Sequence, residues 1–121
     1  MKILIVDDDQ SINRMVKKIL EMESHVVFTA FNGQEAINIL NKTPDIQLII
    51  TDIIMPEKEG LETIMEIRKK FDDKKILAIS GGGKLKAEGY LKLAKQLGAD
   101  DILAKPFDGD ELLSIIEKIV S

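Results

Sequence analysis

Asp52 is the residue of this chain that combines a reactive side chain with the clearest structural context. It ends the apolar run Leu48-Ile49-Ile50-Thr51-Asp52, and a loop containing Pro56 and Gly60 follows at once. A run this short between helix breakers predicts a strand, and its nearly continuous apolar character predicts a parallel sheet covered on both faces. Asp52 would lie at the carboxyl end of that strand, where open α/β sheets bind ligands. We therefore expect Asp52 to act as a nucleophile.

Other polar residues also follow apolar runs directly. Asp7 and Asp8 come after the first run, Ser80 after the fourth and Lys105 after the fifth. Because the carboxyl ends of parallel strands meet at one edge of a sheet, we expect all of these side chains to gather around Asp52. Alone, the acids at 7–9 would be interpreted as a polar turn before a helix, and only their combination with Asp52 and Lys105 favours a site.

Three carboxylates in one place repel one another unless a cation lies between them. Oxygen ligands favour a hard ion, Mg²⁺ or Mn²⁺, and the chain has one histidine and no cysteine to suggest zinc. A carboxylate can also attack phosphorus and form an aspartyl-phosphate. The Lys105 ammonium and the Ser80 hydroxyl would then stabilise the charge spread over the phosphoryl oxygens.

The elements that must position these residues alternate strictly between strand and helix. Apolar runs with β-type residues are followed each time by amphipathic stretches, with short connections between them. This βαβαβαβαβα order predicts one α/β domain over residues 1–121, with a parallel sheet, right-handed crossovers and helices on both faces. Predicted strands cover 3–6, 25–30, 48–52, 75–79 and 101–104, with Asn32 and Asp108 as helix N-caps and Gly98 as a C-cap.

Composition excludes several classes of function. The net charge of -4 gives no general attraction to nucleic acid or to anionic lipid, so neither is expected as a partner. No apolar run approaches the roughly 20 residues that span a bilayer, and the apolar N-terminus is too short for a signal peptide. A cytoplasmic location is therefore expected.

Taken together, these pieces resemble the receiver domain of response regulators (CheY-like) in two-component phosphorelay systems, over essentially the whole chain. Each piece alone is weak, whereas the order and spacing of all of them are specific. The resemblance implies a flavodoxin-like (βα)5 fold with a five-stranded parallel sheet in the order 2-1-3-4-5. The matching segments are Ile5-Val6-Asp7-Asp8, Thr51-Asp52-Ile53-Ile54-Met55-Pro56, Gly60, Ala78-Ile79-Ser80, Gly98-Ala99 and Lys105-Pro106-Phe107.

The resemblance also implies a metal site for Mg²⁺ or Mn²⁺. Asp8 and Asp52 would ligate the ion directly, together with the main-chain carbonyl of Ile54. Asp7 would contribute through water or order the site.

For the phosphoryl group, the resemblance implies that Asp52 is the acceptor. Ser80 takes the position of the switch hydroxyl, and Lys105 pairs with Asp52 or with its phosphate. The Lys105-Pro106 peptide is usually cis in this family. The protein would be a signalling switch that catalyses its own phosphorylation and slow dephosphorylation, not a conventional enzyme.

The partners implied are a sensor histidine kinase or a histidine phosphotransfer protein as donor, and an effector that binds the face of helix four, strand five and helix five. Homodimerisation on phosphorylation is a further option for that face.

Two departures from the family pattern matter here. Ile102 stands where Tyr or Phe is common, which argues against an aromatic readout, and Ile54 and Gly82 replace common polar residues, which predicts a long-lived phosphorylated state.

Two other functions remain open at this point. The chain could be a receiver-like module regulated by contacts alone, although it retains all the expected site residues. It could instead be a Mg²⁺ phosphohydrolase, but those built on an aspartate nucleophile usually carry a second acid two residues later, where this chain has Ile54.

Overall fold

The computed structural model describes residues 1–53, 59–81 and 84–121, except for the side chains of residues 59, 84–88, 90 and 91. Within these ranges five strands and five helices alternate, as the sequence predicts. Their bounds are β1 Lys2–Val6, α1 Gln10–Met22, β2 Val26–Ala30, α2 Gly33–Lys42, β3 Leu48–Asp52, α3 Glu59–Lys70, β4 Lys75–Ser80, α4 Lys84–Leu97, β5 Asp101–Ala104 and α5 Gly109–Val120.

All five strands are parallel and lie in the order β2-β1-β3-β4-β5, which confirms the predicted fold. The chain reverses its direction of winding between β1 and β3, which are neighbours. Ligands bind at this type of switch point in open α/β sheets because the loops there diverge and leave a crevice. The register pairs Val6 with Thr51, so the residues that follow β1 lie beside Asp52.

Alternation of side chains along the strands divides the core into two layers. Leu4 and Ile49 face one layer, which α2, α3 and α4 cover, whereas Ile3 and Ile50 face the other, which α1 and α5 cover. β1, β3 and β4 are apolar on both sides because both of their faces are buried, which explains why their sequences lack a strict polar alternation.

Local capping fixes where the helices begin. Asn32 Oδ1 accepts the Glu35 N–H at 2.9 Å, and Asp108 forms a reciprocal capping box with Glu111, so both predicted N-caps are confirmed. Asp9 caps α1 by accepting the Ser11 N–H at 2.8 Å. None of the described helices has the length and apolar character required to cross a membrane.

Gly98 ends α4, as predicted, and packs against Arg68. Its φ of +128° lies in a region that L side chains rarely adopt, and an added Cβ would be 3.0 Å from Arg68 Cγ. Arg68 Nε and Nη2 both donate to the Gly98 carbonyl, at 3.1 and 2.7 Å. The close approach that this arginine requires leaves no room for a side chain at position 98.

Gly98→Ala should therefore lower the free energy of unfolding by about 2 kcal/mol, because it combines backbone strain with a clash. Gly89 provides the matched control, since it lies within α4 and an added Cβ would meet nothing within 4 Å. Gly89→Ala should raise stability by about 0.5 to 1 kcal/mol through helix propensity. Urea denaturation of both variants checks this pair, and equal effects would contradict the assigned role of Gly98.

Candidate functional site

Three carboxylates converge at the carboxyl edge of the sheet. Asp7 and Asp8 follow β1, Asp52 ends β3, and one oxygen from each lies within 4.8 Å of the others. Asp7 and Asp52 are buried, with Asp52 only 4% exposed, whereas Asp8 faces solvent. A cluster of this kind can bind a hard cation because it offers oxygen ligands and one open side.

Lys105 brings a positive charge into the same site from the end of β5. Its Nζ donates to Asp7 Oδ2 at 2.9 Å and to Asp52 Oδ2 at 3.0 Å. The Lys105 N–H donates to the Ser80 carbonyl at 2.7 Å, which joins the ends of β5 and β4. A Cβ at Gly81 would lie 3.3 Å from Lys105 Cδ, so the absence of a side chain there gives the lysine its path to the acids.

Ser80 is fully buried at the end of β4, next to β3. Its hydroxyl donates to the Gly81 carbonyl at 3.3 Å. The register sets Asp52 opposite Ile79, so Ser80 lies one position beyond the level of the aspartate. The Lys105-Pro106 peptide is cis.

Gly60 lets the start of α3 approach the residues just after β3. An ideal Cβ at this position would be 2.3 Å from Ile53 Cα and 2.6 Å from the Asp52 carbonyl oxygen. Any side chain would displace the backbone beside Asp52. Ile54, expected to supply a main-chain carbonyl to the metal, lies outside the described residues, as does Gly82.

Asn13 contributes to this site in a way that the sequence did not reveal. It lies on the buried face of α1, and its Nδ2 donates to the main-chain carbonyl of Asp7 at 2.9 Å. A polar residue in register with Val16 and Leu20 on an apolar helix face was the available signal. That signal marks a buried polar group without identifying its partner.

Burial dominates the electrostatics of Asp7 and raises its pKa to about 6. The hydrogen bonds from the Asp9 N–H and from Lys105 oppose this increase, and the charge of Asp52 adds to it. For Lys105, burial lowers the pKa, but the hydrogen bond to Asp7 and the charge of Asp52 outweigh it, so the pKa lies above its ordinary value. The Lys105 ammonium therefore stays charged at neutral pH, whereas the Asp7 carboxyl titrates at about pH 6.

This pKa predicts a pH-dependent effect of Asp7→Asn in Mg²⁺-free solution. The native carboxyl titrates at about 6 and the unfolded one near 3.8, so between these values the folded chain binds more protons. The contribution of Asp7 to the free energy of unfolding therefore falls as pH rises through this window. The stability difference between variant and wild type should shift in favour of the variant by about 2 kcal/mol from about pH 4.5 to about pH 7.5.

Urea denaturation at the two pH values measures this shift. Asp73→Asn serves as the control because Asp73 is an exposed acid in the turn before β4, at the opposite edge of the sheet. A shift of the same size for both variants, or no shift for Asp7→Asn, would contradict the raised pKa of Asp7.

Comparison with known proteins identifies the family. The family model described as response regulator receiver domain matches residues 3–117. The transcriptional regulatory protein CpxR of Escherichia coli is 36% identical over 119 residues, which cover 98% of this chain and 49% of CpxR. The chemotaxis protein CheY homolog of Campylobacter jejuni is 35% identical, with 99% of this chain and 92% of that protein covered. The chain thus spans about half the length of the CpxR proteins it matches.

Solved structures indicate the same family. The receiver domain of NtrX from Brucella abortus superposes with a TM-score of 0.88 at 32% identity, covering 98% of this chain and 97% of that one. The chemotaxis protein CheY4 of Vibrio cholerae gives a TM-score of 0.86 at 30% identity, with 98% and 97% covered. Accepting a phosphoryl group for signalling is typical of the family. The chain belongs to the response regulator receiver domains.

Proposed function

We propose that residues 1–121 form a single receiver domain in which Asp52 accepts a phosphoryl group and thereby switches the domain between two signalling states. The observation that carries this proposal is the placement of Asp52. Its carboxylate lies at the end of β3, nearly buried, with the Lys105 ammonium 3.0 Å away and two further acids within reach. A buried carboxylate that contacts a lysine and belongs to an acidic cluster able to hold a cation is suited to attack an anionic phosphoryl group.

Receiver domains generally bind Mg²⁺, and the residues present fit that ion. Asp7, Asp8 and Asp52 offer only oxygen ligands within 4.8 Å of one another, and Asp8 leaves the cluster open to solvent. Asp8 and Asp52 would hold the ion directly, with Asp7 acting through water or ordering the site. Mn²⁺ would fit the same donors. When bound, the ion supplies positive charge for the phosphoryl oxygens.

The donor is a phosphohistidine of a sensor histidine kinase or a histidine phosphotransfer protein. An Asp52 carboxylate oxygen forms the new bond to phosphorus while the bond from phosphorus to the imidazole nitrogen breaks, and the imidazole leaves with that electron pair. Lys105 already lies between Asp7 and Asp52, so its ammonium stabilises the oxygens of the transferred group without moving far. The Ser80 hydroxyl leaves the Gly81 carbonyl and turns toward the phosphoryl oxygen. Self-catalysed hydrolysis of the aspartyl-phosphate then resets the switch.

The signal leaves through the face formed by α4, β5 and α5. On α4, Lys92, Leu93 and Lys95 are exposed, so this helix offers apolar and basic groups to an effector or to a second copy after phosphorylation. Ile102 packs half-buried against the core from β5 in the place of the usual aromatic residue. A rotating aromatic side chain at this position is therefore not part of the proposed readout. The long-lived phosphorylated state expected from Ile54 and Gly82 remains a prediction.

The proposal predicts that a small acyl-phosphate donor with Mg²⁺ adds one phosphoryl group to the intact chain and none to Asp52→Asn. The amide of the variant is not nucleophilic toward phosphorus and also weakens the cation site. Intact mass measurement detects the product. A parallel reaction in which a chelator has removed Mg²⁺ beforehand tests the requirement for the ion. Asp73→Asn, an exposed aspartate far from the site, is the matched control and should be phosphorylated like the wild type.

Phosphorylation of Asp52→Asn to the wild-type level would place the acceptor elsewhere. Binding of Mg²⁺ without any phosphorylation would favour a module that is regulated by contacts alone. Continuous turnover of a simple phosphate ester would instead support a phosphohydrolase.

A further inference from the structure

Asn13 carries a buried polar atom that the structure leaves without a partner. The side chain is only 3% exposed, and its Oδ1 is the one buried side-chain oxygen or nitrogen in the described part of the chain that makes no hydrogen bond. A buried acceptor in this state has lost its hydrogen bonds to water without gaining another, which destabilises the fold. A leucine of similar size would avoid that cost among the apolar neighbours on α1. The other end of the amide must therefore provide something that an apolar side chain cannot.

The Nδ2 end of the Asn13 amide holds the loop that carries Asp7 and Asp8. Asn13 Nδ2 donates to the Asp7 carbonyl at 2.9 Å, while the Asp7 N–H donates to the Ala30 carbonyl at 3.1 Å. Both polar groups of the Asp7 peptide backbone are thus fixed, one by β2 and the other by α1. The orientation of the amide follows from chemistry, because the reverse orientation would set two oxygens against each other.

The loop is held on its other side as well. The Asp9 N–H donates to Asp7 Oδ1 at 2.9 Å, Asp9 caps α1, and the Asp9 carbonyl accepts the Asn13 N–H at 3.1 Å. Asp8 lies between these two fixed residues. Within the described residues no hydrogen bond holds its exposed carboxylate, so the backbone on either side sets its direction.

We propose that Asn13 is a positioning residue for the metal site, which aims the Asp8 carboxylate at the cation by holding the Asp7 carbonyl through its side-chain amide. This inference rests on the proposed function, since it concerns the same acidic cluster. Groups that orient metal ligands from outside the coordination sphere typically change metal affinity by about 10- to 100-fold when they are removed. The amide acts on the Asp8 side chain only indirectly, through the peptide unit that joins Asp7 to Asp8, so we expect the lower end of that range.

Calorimetric titration of the full chain with MgCl₂ tests the proposal. Asn13→Leu keeps the size of the side chain but removes the donor, and should raise the dissociation constant for Mg²⁺ about tenfold. Asn13→Ala provides a second variant that also lacks the donor and should show the same increase. In phosphorylation by a small acyl-phosphate, the Mg²⁺ concentration for half-maximal rate should rise by the same factor, while the rate at saturating Mg²⁺ is retained.

Val16→Ala is the matched control because Val16 is buried one turn later on the same face of α1. It should lower the free energy of unfolding without changing the dissociation constant for Mg²⁺, which separates loss of stability from loss of positioning. Equal constants for the wild type and both Asn13 variants would overturn the role of Asn13 alone. Absence of Mg²⁺ binding by the wild-type chain would overturn the metal site and the role of Asn13 together.

Discussion

The site depends on a single ammonium group, that of Lys105, which offsets the repulsion between two buried carboxylates. Asp7 and Asp52 lie at the ends of neighbouring strands, and both the burial of Asp7 and the nearby charge of Asp52 oppose ionisation of the Asp7 carboxyl. Lys105 contacts both acids, yet burial still raises the pKa of Asp7 to about 6. The cluster therefore holds more negative charge than one lysine neutralises. A bound cation, or a phosphoryl group accompanied by one, would relieve that imbalance.

The sheet provides the geometry that this interaction requires. β1 and β3 are adjacent only because the winding reverses between them, and their register pairs Val6 with Thr51. β4 lies on the other side of β3 and β5 beyond it, so Lys105 must extend past the end of β4 to reach the acids. Gly81 permits that path and Gly60 permits the approach of α3 from the other side. The acids, Lys105 and the two glycines are thus parts of one steric arrangement.

The residues at the carboxyl ends of strands, or just after them, were predictable from the sequence, because a strand end fixes where these side chains lie. Asp7, Asp8, Asp52, Ser80 and Lys105 all have this property, and the structure places each at the same edge of the sheet. Asn13 and Arg68 do not have it. Their partners are backbone carbonyls, Asp7 for one and Gly98 for the other, and a carbonyl leaves no mark in the sequence. The first is 6 residues away and the second 30, so local periodicity could not link them.

The two edges of the sheet consequently differ in how well their polar groups are matched. Near the amino ends of β4 and β5, Arg68 uses all five of its N–H donors, with the carbonyls of Asp72, Lys74 and Gly98 and the carboxylate of Asp100 as acceptors. At the carboxyl edge, the described residues place three carboxylates against one lysine and leave the Asn13 amide oxygen without a hydrogen-bond partner. A network in which every donor is paired resists change because each rearrangement would break a hydrogen bond, whereas a cluster of like charges responds to an opposite charge that binds there. The fold thus keeps its fully paired arginine network at the edge opposite the acidic cluster.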